Sequence, residues 1–200
     1  MKTLPLVAVV VVTATSAFAE EVRQADAHEH GVGQLDIAFD GNQIAVELHA
    51  PGSDIVGFEY AAESSDDRAA VDAAVAKLAV PLDLFVLPTA AACSVVQASA
   101  ELESEDAHEE EHANDDHAEH DEEHNEADHA KHEEESGHTE FHAEYLLTCA
   151  QPDAASEITF TYFETFPNAL KLEVQVVSDA GANAFKVERD NPKLDLRGMF

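Results

Sequence analysis

Nine of the chain's twelve histidines fall between His108 and His142, set among aspartate and glutamate. Neutral imidazole and carboxylate together suit zinc, with copper and nickel as competitors; an all-oxygen calcium loop has no need of histidine. Within the tract the candidate ligands are His108, His112, His117, His120, His124, His129 and His132, and at its C-terminal border stand His138, Glu140 and His142. From Glu101 to His138 there are 18 acidic residues against Lys131 alone. No aliphatic side chain larger than alanine lies between Glu103 and Thr139, so segment 101–138 buries too little apolar surface to offset its ordering entropy. It reads as a disordered acidic insertion whose partner is a cation. The sign of the charge excludes nucleic acid and anionic membrane surfaces.

Counting in fours from His108 gives His108, His112, Asp116, His120, His124, Asp128 and His132. Neighbours four apart share a helix face, so zinc at such pairs could convert a self-repelling coil into a helix with a stripe of ligands. The run HEEEH at His108 to His112 matches the H-E-x-x-H pattern of metalloproteases. That chemistry needs a packed helix, a third ligand and a cleft, and a tract built of histidine and glutamate generates the match by composition.

Three histidines lie elsewhere. His28 and His30 form an H-x-H pair ahead of the first expected strand, and two imidazoles on one side supply half of a tetrahedral zinc shell. The expected ordered site combines His28 and His30 with His138 and one of Glu59, Glu140 or His142. His49, alone at the end of a strand and facing opposite to Leu48, reads as an ordinary strand residue.

The rest of the chain must position these groups. Residues 1–19 carry Lys2, an apolar run from Leu4 to Val12 and an Ala17-Phe18-Ala19 cleavage signature, which reads as a secretory signal peptide. No later stretch is long and apolar enough to span a bilayer. Residues 20–200 are expected to form a single metal-binding domain. In an oxidising compartment its two cysteines, Cys93 and Cys149, are most simply a disulfide bracketing the tract. Two thiolates this far apart and away from the histidines make a poor chelate.

Alternation of Leu35, Ile37 and Phe39, then Ile44, Val46 and Leu48, around Asp40-Gly41-Asn42 predicts a β-hairpin. FHAEYLLTC, SEITFTYFETF, ALKLEVQVVS, AFKVERD and KLDLRG continue as short strands. One helix is expected after Asp66 or Asp67, with Ala70, Val71, Ala74, Val75 and Leu78 on its apolar face and Pro81 beyond its end. The fold class is mainly β: an antiparallel β-sandwich or small barrel with one short helix and the long acidic loop.

The H-x-H-G at His28 to Gly31, the Ala50-Pro51 pair, V-G-F-E at Val56 to Glu59 and the histidine-acid run from His138 to Cys149 together resemble the ZrgA-like periplasmic zinc proteins of Gram-negative bacteria. The likeness extends over essentially the whole mature chain. It implies a β-rich core, a histidine-rich loop of variable length and a zinc-binding partner of an ABC-type zinc uptake system. Where relatives often carry histidine after V-G-F-E, this chain has Tyr60, so Glu59 or the loop must supply any donor needed there.

The sequence therefore reads as an exported, soluble periplasmic zinc-binding protein and not an enzyme, with an ordered site on the core and a multi-ion antenna in the tract. The expected partners are zinc ions and an ABC-type zinc transporter or its binding protein. The rival reading within metal handling is a zinc, nickel or copper buffer or detoxification protein without a transporter partner. Outside it, the rival is a metal-dependent hydrolase.

Overall fold

A computed structural model describes residues 29–104 and 138–199. The signal segment, His28 and the tract histidines from His108 to His132 lie outside the described residues.

The chain opens with the expected hairpin, β1 (Val32–Asp40) and β2 (Gln43–Pro51), joined at Gly41-Asn42. Leu35, Ile37, Phe39, Ile44, Val46 and Leu48 all point inward and are buried, so the period-two reading sets the faces correctly. After three helical segments, α1 (Gly52–Ile55), α2 (Ser65–Leu78) and α3 (Pro81–Leu84), come the short β3 (Phe85–Val86) and the long β4 (Cys93–Ser104). Beyond the tract follow β5 (Thr139–Cys149), β6 (Glu157–Phe160), α4 (Tyr162–Thr165), β7 (Lys171–Ser178), β8 (Gly181–Glu188) and β9 (Lys193–Asp195).

The strands form two sheets, one of six strands in the order β4-β5-β2-β1-β7-β8 and one of three in the order β3-β6-β9. The fold is mainly β, and among the described residues no barrel closes. Between the two sheets lies a core of aliphatic and aromatic side chains, with Phe85, Tyr145, Phe160, Tyr162, Phe163 and Phe166 in ring contact. Each large side chain removed from water contributes about 1.5–3 kcal/mol before its ordering cost.

Four sequence expectations are corrected. The large sheet is mixed, because β1 pairs parallel with β7; the backbone oxygen of Gly31 accepts from Leu170 and Lys171 and brings β7 alongside β1. The helix cap is Ser64, whose hydroxyl accepts from the Asp67 amide while the Asp67 carboxylate accepts from the Ser64 amide, a capping box that Asp66 and Asp67 alone do not reveal. The strand expected through TYFETF stops at Phe160. Thr161 turns the chain, donating its hydroxyl to the carbonyls of Asp83 and Leu84, and α4 follows. A helical turn lets Tyr162 and Phe166 enter the core together, ring centroids 5.2 Å apart, where a strand would put Tyr162 and Phe163 on opposite faces. Lastly, Glu101 to Ser104 belong to β4 and not to the insertion, since the ladder with β5 runs as far as the Ser104–Thr139 pair.

Cys93 and Cys149 are joined, 56 residues apart in sequence, at the first pair of the β4–β5 ladder. The tract leaves and re-enters at the opposite end of that ladder, where backbone pairing already holds its ends. The bridge therefore locks the far end of the hairpin arm. On the chain-entropy model a loop of this size gives about 4 kcal/mol of stability. A thiol assay on the native zinc-free protein is expected to find no reactive group, and reduction is expected to lower the melting temperature. Two reactive thiols in the native protein would contradict the bridge.

Candidate metal centre

Alternation on three neighbouring strands gathers donors on the face of the large sheet away from the core. Leu48 and Ala50 on β2, Phe141 and Ala143 on β5, and Leu102 on β4 pack inward. Their neighbours Glu47 and His49, Glu140 and His142, and Glu103 are thereby turned outward. His49 stands directly opposite His142 in the β2–β5 register, and their rings meet edge to face with centroids 4.1 Å apart. Glu140 completes a trio whose ligand atoms lie within 4.8 Å of one another.

Each imidazole has one nitrogen turned to Glu140 and the other to a different carboxylate. His142 places Nε2 2.7 Å from Glu140 Oε2 and Nδ1 3.5 Å from Glu103 Oε2. His49 places Nδ1 3.5 Å from the same Glu140 oxygen and Nε2 2.9 Å from Glu47 Oε1. Histidine ligands are commonly oriented by a carboxylate on the nitrogen that does not bind metal. Glu47 and Glu103 occupy that position, leaving His49 Nδ1, His142 Nε2 and a Glu140 oxygen converging on one point. With acceptors on both sides His49 readily holds two protons: the hydrogen bond to Glu140 outweighs the opposing effect of burial and, with Glu47, raises its pKa to about 9. A divalent cation can replace the shared proton at the centre.

A second cluster lies where β2 passes into α1 and β5 begins. Glu59 Oε2 is 3.2 Å from His30 Nε2 and 2.9 Å from His138 Nδ1, and Ser53 donates its hydroxyl to Glu59 Oε1 at 2.6 Å. Burial works to raise the Glu59 pKa, but the Ser53 hydroxyl and the two histidines outweigh it and hold the carboxyl below its usual value. Behind it, the buried Asp54 accepts the Gly31 amide at 2.7 Å; its own pKa is raised by burial, against the Gly31 and Ser53 hydrogen bonds. Gly31 has a φ of +85° and lies against the Leu170 side chain, so the link from His30 into β1 suits glycine. Gly52 permits a close approach as well, since a Cβ there would stand 2.6 Å from both Phe58 O and Thr139 Oγ1.

The structure thus divides the site expected from sequence. His30, Glu59 and His138 come together in one cluster, while Glu140 and His142 belong to the other. Tyr60 contributes no metal donor there; its exposed ring stacks on Phe58, and Glu59 is the residue on which the two histidines converge. His49, read from the sequence as an ordinary strand residue, is the member of this trio that sequence reasoning left out. The one signal that could have found it is its place opposite the E-x-H of Glu140 to His142, which requires the strand pairing. Glu47 and Glu103 were missed for the same reason.

Among the described residues no helix is long and apolar enough to cross a membrane. No curated protein matches the chain. Residues 27–196, a stretch taking in both clusters and the tract, match the family described as ZrgA family zinc uptake protein, and the chain belongs to that family.

Proposed function

We propose that this is a periplasmic zinc-binding protein that captures zinc on the ordered face of its large sheet and assists delivery to an ABC-type uptake system. The observation that carries the zinc reading is the arrangement of His49, Glu140 and His142, two imidazoles and a carboxylate facing one another with Glu47 and Glu103 behind. Two nitrogens and one oxygen are a zinc donor set with a position left open. An open position suits a carrier, because a receiving ligand can bind the ion before the carrier's own ligands let go. Family membership supports zinc uptake as the process served, and the signal segment and the disulfide support the periplasm.

The tract acts in this reading as an antenna, holding ions weakly and raising their concentration near the ordered face to which both its ends are attached. Zinc titration by calorimetry, comparing the full chain with one lacking residues 105–137, tests it. The full chain is expected to bind several ions, and the shortened chain to keep the tightest binding while losing the weaker ions. A single ion bound by both chains would end the antenna. Delivery is tested separately by mixing the zinc-loaded protein with the substrate-binding protein of a zinc ABC transporter. Transfer faster than spontaneous release into a chelator is expected; equal rates would favour a buffer without a transporter partner.

A further inference from the structure

We propose that the Glu59 cluster is a separate zinc station, through which ions pass to the His49–Glu140–His142 site. This rests on the reading of that inner trio as a zinc site.

Four observations carry it. The first is exposure: the His30 and His138 side chains are 68% and 57% exposed, while His49 and His142 are each 28% and Glu140 13%. One cluster meets incoming ions and the other shelters them. The second is donor spacing. In the inner trio the separations from Glu140 Oε2 are 2.7 Å to His142 and 3.5 Å to His49, on either side of the roughly 3.3–3.4 Å between ligands of a tetrahedral ion with bonds of about 2.0–2.1 Å. In the outer cluster His30 and His138 approach the same Glu59 oxygen at 3.2 and 2.9 Å from positions outside the paired strands, whereas His49 and His142 are held opposite each other in the β2–β5 ladder, so the outer donors stand on less constrained backbone.

The third observation is placement. His138 is the residue at which the chain returns from the tract, and along the extended chain it precedes Glu140 by two residues, about 7 Å. An ion released by the tract meets His138 and Glu59 first and then has one short step to Glu140. The fourth is the support behind Glu59. Ser53 holds one carboxylate oxygen and also lies 3.4 Å from Asp54, which in turn fixes the Gly31 amide beside His30. A chance surface contact between acid and histidine has no such buried brace.

Cobalt(II) added to the full chain is the probe, because a tetrahedral site gives an intense visible band. The inner contribution is defined as the part of that band lost when His49→Gln and His142→Gln are combined. Glu59→Gln and His138→Gln are each expected to slow the growth of the inner band in stopped flow by about tenfold, the lower end of what a local field adds to an on-rate, with the final amplitude kept. His138→Gln changes an exposed side chain, so it decides the matter if Glu59→Gln disturbs folding. Unchanged rates would overturn the station, and loss of inner amplitude in either variant would show that the two clusters are one site. A full chain that gains no tetrahedral band at all would instead remove the inner zinc site on which the proposal rests.

Discussion

Replacing His142 by alanine is expected to weaken zinc binding on the ordered face by at least about a hundredfold, whereas Glu47→Ala and Glu103→Ala each cost about ten- to a hundredfold, the usual effect of losing an outer carboxylate. The ranking follows from the geometry. His142 offers Nε2 at the centre of the trio, 2.7 Å from the Glu140 oxygen, so its removal takes away a ligand. Glu47 and Glu103 face the outer nitrogens of His49 and His142, so their removal leaves both ligands in place with less control over ring orientation and basicity. A competition titration against a chromophoric chelator measures all three. The side chains lie on the outward face of the sheet, and zinc-free Glu103→Ala is expected to melt close to the parent, while zinc-free Glu47→Ala loses part of the stability tied to the His49 proton. If His142→Ala kept the parent affinity, or if losing the outer carboxylates cost more than losing the histidine, the assignment of roles would be wrong.

Much of the β framework was legible in the sequence, and what was not legible has a common cause. The β1–β2 hairpin and the cysteine pair rest on local signals, alternation and cysteine count, whereas Glu59 stood beside Glu140 and His142 as one of three alternatives for joining His30 and His138. His49 carried no such signal. A single histidine facing away from Leu48 gains meaning only when β2 and β5 pair, which sets it against His142, 93 positions later in the sequence. Glu103 gains its role the same way, from the β4–β5 ladder. Strand pairing is non-local, and a period-two pattern states which face a residue takes without stating which residue lies beside it. The parallel β1–β7 pair was illegible for a related reason, since Leu172, Val174 and Val176 alternate identically whichever way the neighbouring strand runs. In TYFETF the pattern itself misled, because five aromatic or β-branched residues favour a strand locally while core geometry required a turn of helix.

Zinc affinity and zinc-free stability are expected to respond to pH in opposite directions. In the zinc-free protein the hydrogen bond to Glu140, with Glu47 assisting against the effect of burial, raises the His49 pKa from 6.5 to about 9. A pKa raised in the folded state contributes stability that is fully present below the unfolded value. That contribution is lost as pH climbs from about 6.5 through about 9. Zinc binding has the reverse sign, because His49 must give up the proton on the nitrogen facing Glu140 before that nitrogen can take the metal. Throughout the range below about 9, each unit of acidification therefore weakens binding about tenfold through this one group, roughly a hundredfold between pH 7.5 and 5.5. Mild acid thereby becomes a condition under which the protein surrenders its ion. Thermal melts across pH 6 to 9 are expected to show a declining melting temperature without zinc, and at saturating zinc one that stays level above about pH 6.5, where the gain in affinity offsets the loss. Glu140→Gln removes the main support of the His49 proton, and the zinc-free decline is expected to flatten in that variant. Imidazole nitrogen shifts by NMR provide the direct check: at pH 7.5 His49 should still be doubly protonated in the zinc-free protein and singly protonated once zinc is added. A neutral His49 at that pH without zinc would show that the Glu47–His49–Glu140 arrangement does not hold its proton, and the steep acid release would then have to arise elsewhere.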